Sequence, residues 1–363
     1  MIPGLNTLRI LAEFAVVTTH VTGLVDDSIH HHITWEIFIH DLMSFFFILS
    51  GCVTMLNGYG NDGIIPFWSK KLSKVGWVYY ICLVYNNLYR LPQHPYPVCA
   101  LTMPCLLTDF ILVSQYINCG NFVDSVIGVG WYLSILVTFW VLFPFLQRYL
   151  QDFFDNYAWL KITGIYLVYN ALILVIPFNT YSFAPIRLFE FIMGCGLATT
   201  IQRPLPIPVS ILAVTALGSF YILHHYFIAP CLWMGTEPEC NPFAPTVIKP
   251  ECTSPFYLLT GKASIFWVII IHTVAARELL DYQLSHVINP FSLFVYMCHI
   301  QISGALVHAS EKLLGLQWEP VFLILLVYYL SYLLYLLHEK YINDKPNATY
   351  IQSEENDDLI NKA

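Results

Sequence analysis

Ten apolar runs recur along the chain, at 5–25, 35–55, 74–88, 131–150, 160–177, 185–201, 209–227, 257–276, 290–309 and 321–338. Most are near the ~20 residues that an α-helix needs to cross a bilayer. A chain cut this way has few ways to fold, because in lipid every backbone N–H and C=O must be paired within its own segment or a closed barrel. Runs of this length match spanning helices. The reading is therefore an all-α, polytopic membrane bundle of about ten transmembrane helices. An eleventh, shorter run at 106–117 is taken as a re-entrant or surface segment. The composition agrees: 57% of the 363 residues are hydrophobic and only 11% charged. That is less than half the charge that coats an ordinary soluble domain. A soluble catalytic domain has no room. The net charge of −8 leaves no cationic field for a polyanion, which excludes nucleic acid as a partner.

Orientation follows from the basic residues, which are retained on the cytosolic side. Lys70, Lys71 and Lys74 stand between runs two and three, Arg148 and Lys161 between four and five, Arg203 between six and seven, Arg277 between eight and nine, and Lys340 and Lys345 after ten. Every second connection is basic, provided that 106–117 does not cross, and both termini are then expected in the cytosol. The first run carries Arg9, Glu13 and His20 and lacks the features of a cleaved signal, so it is read as a retained span. One transmembrane domain occupies 1–342, and 343–363 is an acidic, polar cytosolic tail expected to be disordered. Its Asn347-Ala348-Thr349 sequon falls on the wrong side for glycosylation.

The cysteines partition in the same way. Cys52, Cys82, Cys195 and Cys298 fall inside runs, whereas Cys99, Cys105, Cys119, Cys231, Cys240 and Cys252 fall on two far-side connections. Six cysteines in an oxidising compartment are disulfide candidates whose connectivity the sequence leaves open. The alternative is that they are free thiols. His30, His31 and His32 lack the spacing of a zinc site, and no metal is expected.

Ionisable residues inside spans are costly, so they usually face a cavity or one another and mark function. On the first run, Arg9, Glu13 and His20 share one helical face, with about 16 Å of axial rise between the first and the last. Taken alone, Arg9 could equally reach for headgroups and His20 be a hydrogen-bonded core histidine. Elsewhere, Phe45-Phe46-Phe47 leads to Ser50-Gly51, a basic stretch carries Lys70, Lys71 and Lys74, Trp131 opens Trp-Tyr-Leu-Ser, Arg187 and Glu190 stand three apart, and Tyr296 precedes His299 by three. A glycine such as Gly51 also serves close helix packing, and a lysine cluster also serves as a membrane anchor.

Taken in order over positions 9 to 339, these motifs resemble the acyltransferase-3 family of polytopic membrane O-acyltransferases. An Arg and a His separated by ten residues match Arg9 and His20. An aromatic run closing on Ser-Gly matches Phe45 to Gly51, and Trp-x-Leu-Ser matches Trp131 to Ser134. Arg-x-x-Glu-Phe-x-x-Gly matches Arg187 to Gly194, Tyr-x-x-His matches Tyr296 and His299, and a Ser-to-Glu close matches Ser331 and Glu339. Leu136 and Ser44 stand where many members carry an acidic residue, and lysines stand where arginine is usual. Lysine grips phosphate as a point charge without the bidentate fork of arginine.

The resemblance implies an acyltransferase that moves groups other than amino-acyl groups. The donor would be cytosolic acyl-CoA, with acetyl-CoA first among the candidates, and the acceptor a hydroxyl of a glycan or other molecule across the membrane. In that reading His20 is the base, or an acyl carrier, with Glu13 or Glu190 orienting its ring. Arg9, Lys70, Lys71 and Lys74 hold the CoA phosphates, and Ser50, Gly51, Trp131, Arg187 and His299 support the substrates or the scaffold. The membrane would be an endomembrane, a plasma membrane or a bacterial inner membrane. Two other classes fit the polar stripe: a transporter or proton relay, and a catalytically silent scaffold.

Overall fold

The computed structural model describes residues 3–25, 33–58, 63–85, 130–175, 184–223, 264–280, 288, 291–314 and 319–342. Among them every regular element is a helix: α1 (Pro3–Val25), α2 (Ile33–Asn57), α3 (Ile64–Tyr85), α4 (Gly130–Phe154), α5 (Ala158–Val175), α6 (Ala184–Ala198), α7 (Ile207–Leu223), α8 (Ser264–Ala276), α9 (Ser292–Leu314) and α10 (Pro320–Ile342). One falls on each of the ten apolar runs. Three are long and apolar enough to cross a membrane by length and composition, within Gly130–Phe154, Ser292–Ser310 and Pro320–Lys340. The 106–117 run, the six far-side cysteines, the histidine run and the 343–363 tail lie outside the described residues. Cys52, Cys82, Cys195 and Cys298 are buried free thiols.

The bundle is apolar outside as well as inside. Phe322 and Leu325 on α10 are 65% and 61% exposed, and Leu212 on α7 is 68% exposed. Such a surface suits hydrocarbon. In lipid, helices associate through close packing and a few polar contacts, and both are visible here. The tightest seam joins α2 to α6, where Gly51 faces the Phe191 carbonyl and Gly194 faces the Ile48 carbonyl. A Cβ at either glycine would collide with the opposing backbone. The Cys195 thiol, 3.5 Å from the Gly51 carbonyl, completes the seam.

Two boundaries differ from the sequence reading. A proline inside a run ordinarily ends a helix, yet α4 passes Pro144 and the 150 bound of the fourth run and continues to Phe154. Proline cannot donate to the carbonyl four residues back, and that carbonyl, on Trp140, instead accepts the indole N–H of Trp68 at 3.1 Å. An α3 side chain thus repairs the defect in α4. Similarly α3 starts at Ile64, so Lys70, Lys71 and Lys74 lie on the helix itself rather than ahead of it.

Contacts gather the basic helix ends at one end of the bundle. Gly4 packs on Leu279, Thr7 donates to the Leu280 carbonyl, Arg277 donates to the Leu205 carbonyl at 2.6 Å, and His272 lies 3.0 Å from the Thr200 carbonyl. The Lys161 ammonium caps the Phe153 carbonyl at the end of α4, Lys71 reaches Thr54 on α2, and Phe294 meets His338 on α10. Several helix ends that flank basic connections therefore pack beside one another.

Candidate active site

α1 and α9 lie side by side and run in the same direction. Each presents a polar stripe: Arg9, Glu13 and His20 on α1, and Ser292, Tyr296 and His299, spaced i, i+4 and i+7, on α9. The stripes meet twice. Arg9 Nη2 donates to Ser292 Oγ at 2.8 Å, and His20 Nδ1 lies 2.8 Å from His299 Nε2. The two imidazoles are nearly parallel, 10° apart with centroids at 5.0 Å.

The partners of His299 fix the protons. Its Nδ1 lies 2.7 Å from the Tyr296 carbonyl and 3.3 Å from that of Val295. Carbonyls only accept, so Nδ1 carries the hydrogen, and in a neutral ring Nε2 is then the acceptor. His20 must therefore donate through Nδ1–H, which leaves its own lone pair on Nε2. His299 is fully buried and His20 half-buried, so the basic nitrogen belongs to the more accessible ring. That is the arrangement of a general base held in one tautomer by a second group.

About two turns from His20, Glu13 is 3% exposed. It interacts electrostatically with Arg9 and lies within hydrogen-bonding reach of Ser292. Tyr132 of α4 is in the field of Arg9 as well and packs between Phe47 and Tyr296, at 4.8 and 5.8 Å. Arg9 therefore points into the bundle rather than towards headgroups.

Glu190 occupies a separate cluster. Its two oxygens accept from Arg187 Nη1 at 2.9 and 2.7 Å, and Oε1 also takes the Tyr169 hydroxyl at 2.5 Å and the Ser264 hydroxyl at 3.4 Å. Arg187 reaches Ser44 at 3.1 Å and lies over the rings of Phe47 and Trp131, at 5.5 and 6.0 Å. Both charges are wholly buried. This cluster ties α2, α4, α5, α6 and α8 together behind the imidazole pair, with the rings of Phe47, Tyr132 and Tyr296 between them.

At the basic end, Lys71 lies over the rings of Phe67 and Trp140, at 5.6 and 5.2 Å, and donates to Thr54 at 3.3 Å. Lys70 is exposed and Ser50 half-buried beside Gly51. The side chain of Lys74 lies outside the described residues. No group of three His, Cys, Asp or Glu placed to hold a metal ion occurs among the described residues.

Ser292, Tyr132, Tyr169 and Ser264 were not singled out in the sequence, because tyrosine and serine are common in apolar helices. The i, i+4, i+7 spacing that leads from Ser292 to His299 is the signal that could have found the first of them.

Comparison with known proteins places the chain in a family. The acyltransferase domain family matches residues 2–336. "Acyltransferase MdmB" of Streptomyces mycarofaciens is 22% identical over 230 residues, which cover 55% of this chain and 58% of that relative. The chain thus spans little more than half the length of the curated relative it matches. No solved structure matches. One family covers the bundle from the start of α1 into the last turns of α10, and the chain belongs to that acyltransferase-3 family of integral membrane proteins.

Proposed function

We propose that the protein transfers an acyl group, acetyl first among the candidates, from acyl-CoA to a hydroxyl of a glycan or another acceptor across the membrane. All ten helices then cross the bilayer, with the basic end and both termini in the cytosol. The far-side connections, with their six cysteines, face the acceptor. The observation that carries this reading is the His20–His299 pair. A half-buried imidazole whose basic nitrogen is fixed by a second, buried imidazole suits proton abstraction.

In the reaction, His20 Nε2 takes the proton of the acceptor hydroxyl while its oxygen attacks the thioester carbonyl carbon. As the tetrahedral intermediate collapses the C–S bond breaks, and the imidazolium returns the proton to the departing sulfur. The products are the ester and CoA thiol. When His20 is cationic, its Nδ1–H bond to His299 is charge-assisted and stronger. The pair thus favours the transition state over the ground state. Lys70, Lys71 and Lys74, with Arg9 deeper in, hold the CoA phosphates. His299 takes over the orienting role that the sequence offered to Glu13 or Glu190, whereas Glu190 with Arg187 holds the scaffold behind the site.

Membranes carrying the wild type and His20→Ala, supplied with labelled acetyl-CoA, provide the test. Loss of transfer by about 10²-fold or more is expected for removal of a general base. Full activity in a correctly inserted variant removes the mechanism. A proton relay or a silent scaffold would not be stabilised by CoA, so a rise in melting temperature with CoA separates this reading from both.

A further inference from the structure

One contact between α3 and α9 takes no part in the mechanism above, although it stands beside a residue that does. Cys82 Sγ lies 3.3 Å from Cys298 Sγ, and Cys298 is the chain neighbour of His299. Both are free thiols, 2% and 4% exposed. The Cys82 thiol donates to the Met297 carbonyl at 3.4 Å, so its single hydrogen is used and Cys298 is the donor across the sulfur pair. Each sulfur is held against the other. Tyr80 and Val84, two positions to either side of Cys82, point away from it and are exposed, so only the thickness of α3 separates the pair from the surface of the bundle.

Successive residues on an α-helix point about 100° apart, which lets α9 address two neighbours from adjacent positions. His299 meets α1 through His20, and Cys298 meets α3 through Cys82. A disulfide bond is ~2.0 Å long, so joining these sulfurs closes ~1.2 Å. Close-packed interiors pass such a movement on to their neighbours, and on α9 the first neighbour is the ring that orients the base. A misplacement of ~1 Å in a positioned catalytic group can cost about 10²-fold in rate.

We propose that Cys82 and Cys298 form a redox modification site, in which a peroxide joins α3 to α9 by a disulfide and the joined state holds His299 out of register with His20. Buried thiols react slowly. Here the pairing compensates, because a sulfur oxidised first already touches the one that resolves it. Hydrogen peroxide is small and uncharged, and it balances the step. Its O–O bond breaks as one thiol becomes a sulfenic acid with release of water, and the second thiol then displaces the sulfenic oxygen as another water to form the S–S bond. Two thiols lose two electrons and two protons, and the peroxide is reduced to two waters. A thiol reductant reverses the bond by exchange. The effect on rate rests on the function proposed above, whereas formation of the bond does not.

The whole chain in detergent, treated with hydrogen peroxide, is unfolded, alkylated with N-ethylmaleimide and digested without reductant. Mass spectrometry should find the peptides of Cys82 and Cys298 joined, and separated again by dithiothreitol, while Cys52 and Cys195, both 0% exposed, are recovered as alkylated thiols. No joined peptide, or equal loss of all four thiols, overturns the proposal and leaves the pair as two small apolar side chains. In membranes supplied with labelled acetyl-CoA, the same treatment should lower transfer about tenfold or more in the wild type, reversibly with dithiothreitol, and less than about twofold in Cys82→Ala. Equal inhibition of the wild type and Cys82→Ala overturns the coupling to His299, as does a joined wild type that works at full rate. An untreated wild type that transfers nothing overturns the acyl-CoA reading instead, and the joined peptide still decides the site.

Discussion

His299 donates through Nδ1 to its own helix and receives a proton's worth of hydrogen bonding from His20, so its contribution is positional. Deleting the ring frees His20 to adopt either tautomer. His299→Ala should lower kcat by about 10²-fold while leaving the donor KM nearly unchanged. His299→Gln should recover part of that loss, because an amide oxygen can still accept from Nδ1–H. Equal activity of the Ala and Gln variants would deny the ring this role. The Arg187–Glu190 pair behaves differently, since a wholly buried charge that loses its partner costs ~3–5 kcal/mol. Arg187→Met should therefore lower the melting temperature in detergent more than Arg187→Met/Glu190→Gln, in which the neutral amide still accepts from Tyr169. Both histidines and the i, i+3 ion pair were legible as residues. That the histidines pair was not: His20 and His299 are 279 positions apart, and nothing local in either stretch encodes that they meet.

At the level of elements, the hydrophobic runs located all ten described helices because lipid enforces internal backbone pairing, but their ends were misjudged where a defect is repaired from another helix. Pro144 is a local stop signal, and only the Trp68 indole, supplied by α3, satisfies the Trp140 carbonyl that it strands. The repair gives a sharp thermodynamic test. Trp68→Phe should cost ~1–3 kcal/mol in the natural background by leaving that carbonyl unpaired. In a Pro144→Ala background the residue at 144 can donate to Trp140 itself, and the same substitution should cost markedly less. A double-mutant cycle that shows additivity would mean that the two residues are not coupled. Gly51 and Gly194 were legible as packing residues, but not that they face the same seam from opposite sides. That reciprocity depends on where α2 and α6 cross.

For the molecule as a whole, helix ends that flank basic connections pack together in several places (Thr7 with Leu280, Arg277 with Leu205, Lys71 with Thr54), and the orientation proposed for them can be tested directly. In a eukaryotic host, a glycosylation sequon inserted between 228 and 256 should be modified. One inserted at 203–206, beside Arg203, should remain unmodified. The reverse pattern would invert the bundle and place the lysines away from cytosolic CoA. The site is assembled from both ends of the sequence, with α1 supplying His20 and α9 supplying His299. A ribosome making this protein therefore inserts an isolated imidazole long before its companion emerges. On the proposed mechanism, chains that stop early, or are clipped before the ninth helix docks, hold no poised nitrogen and cannot squander thioester on water.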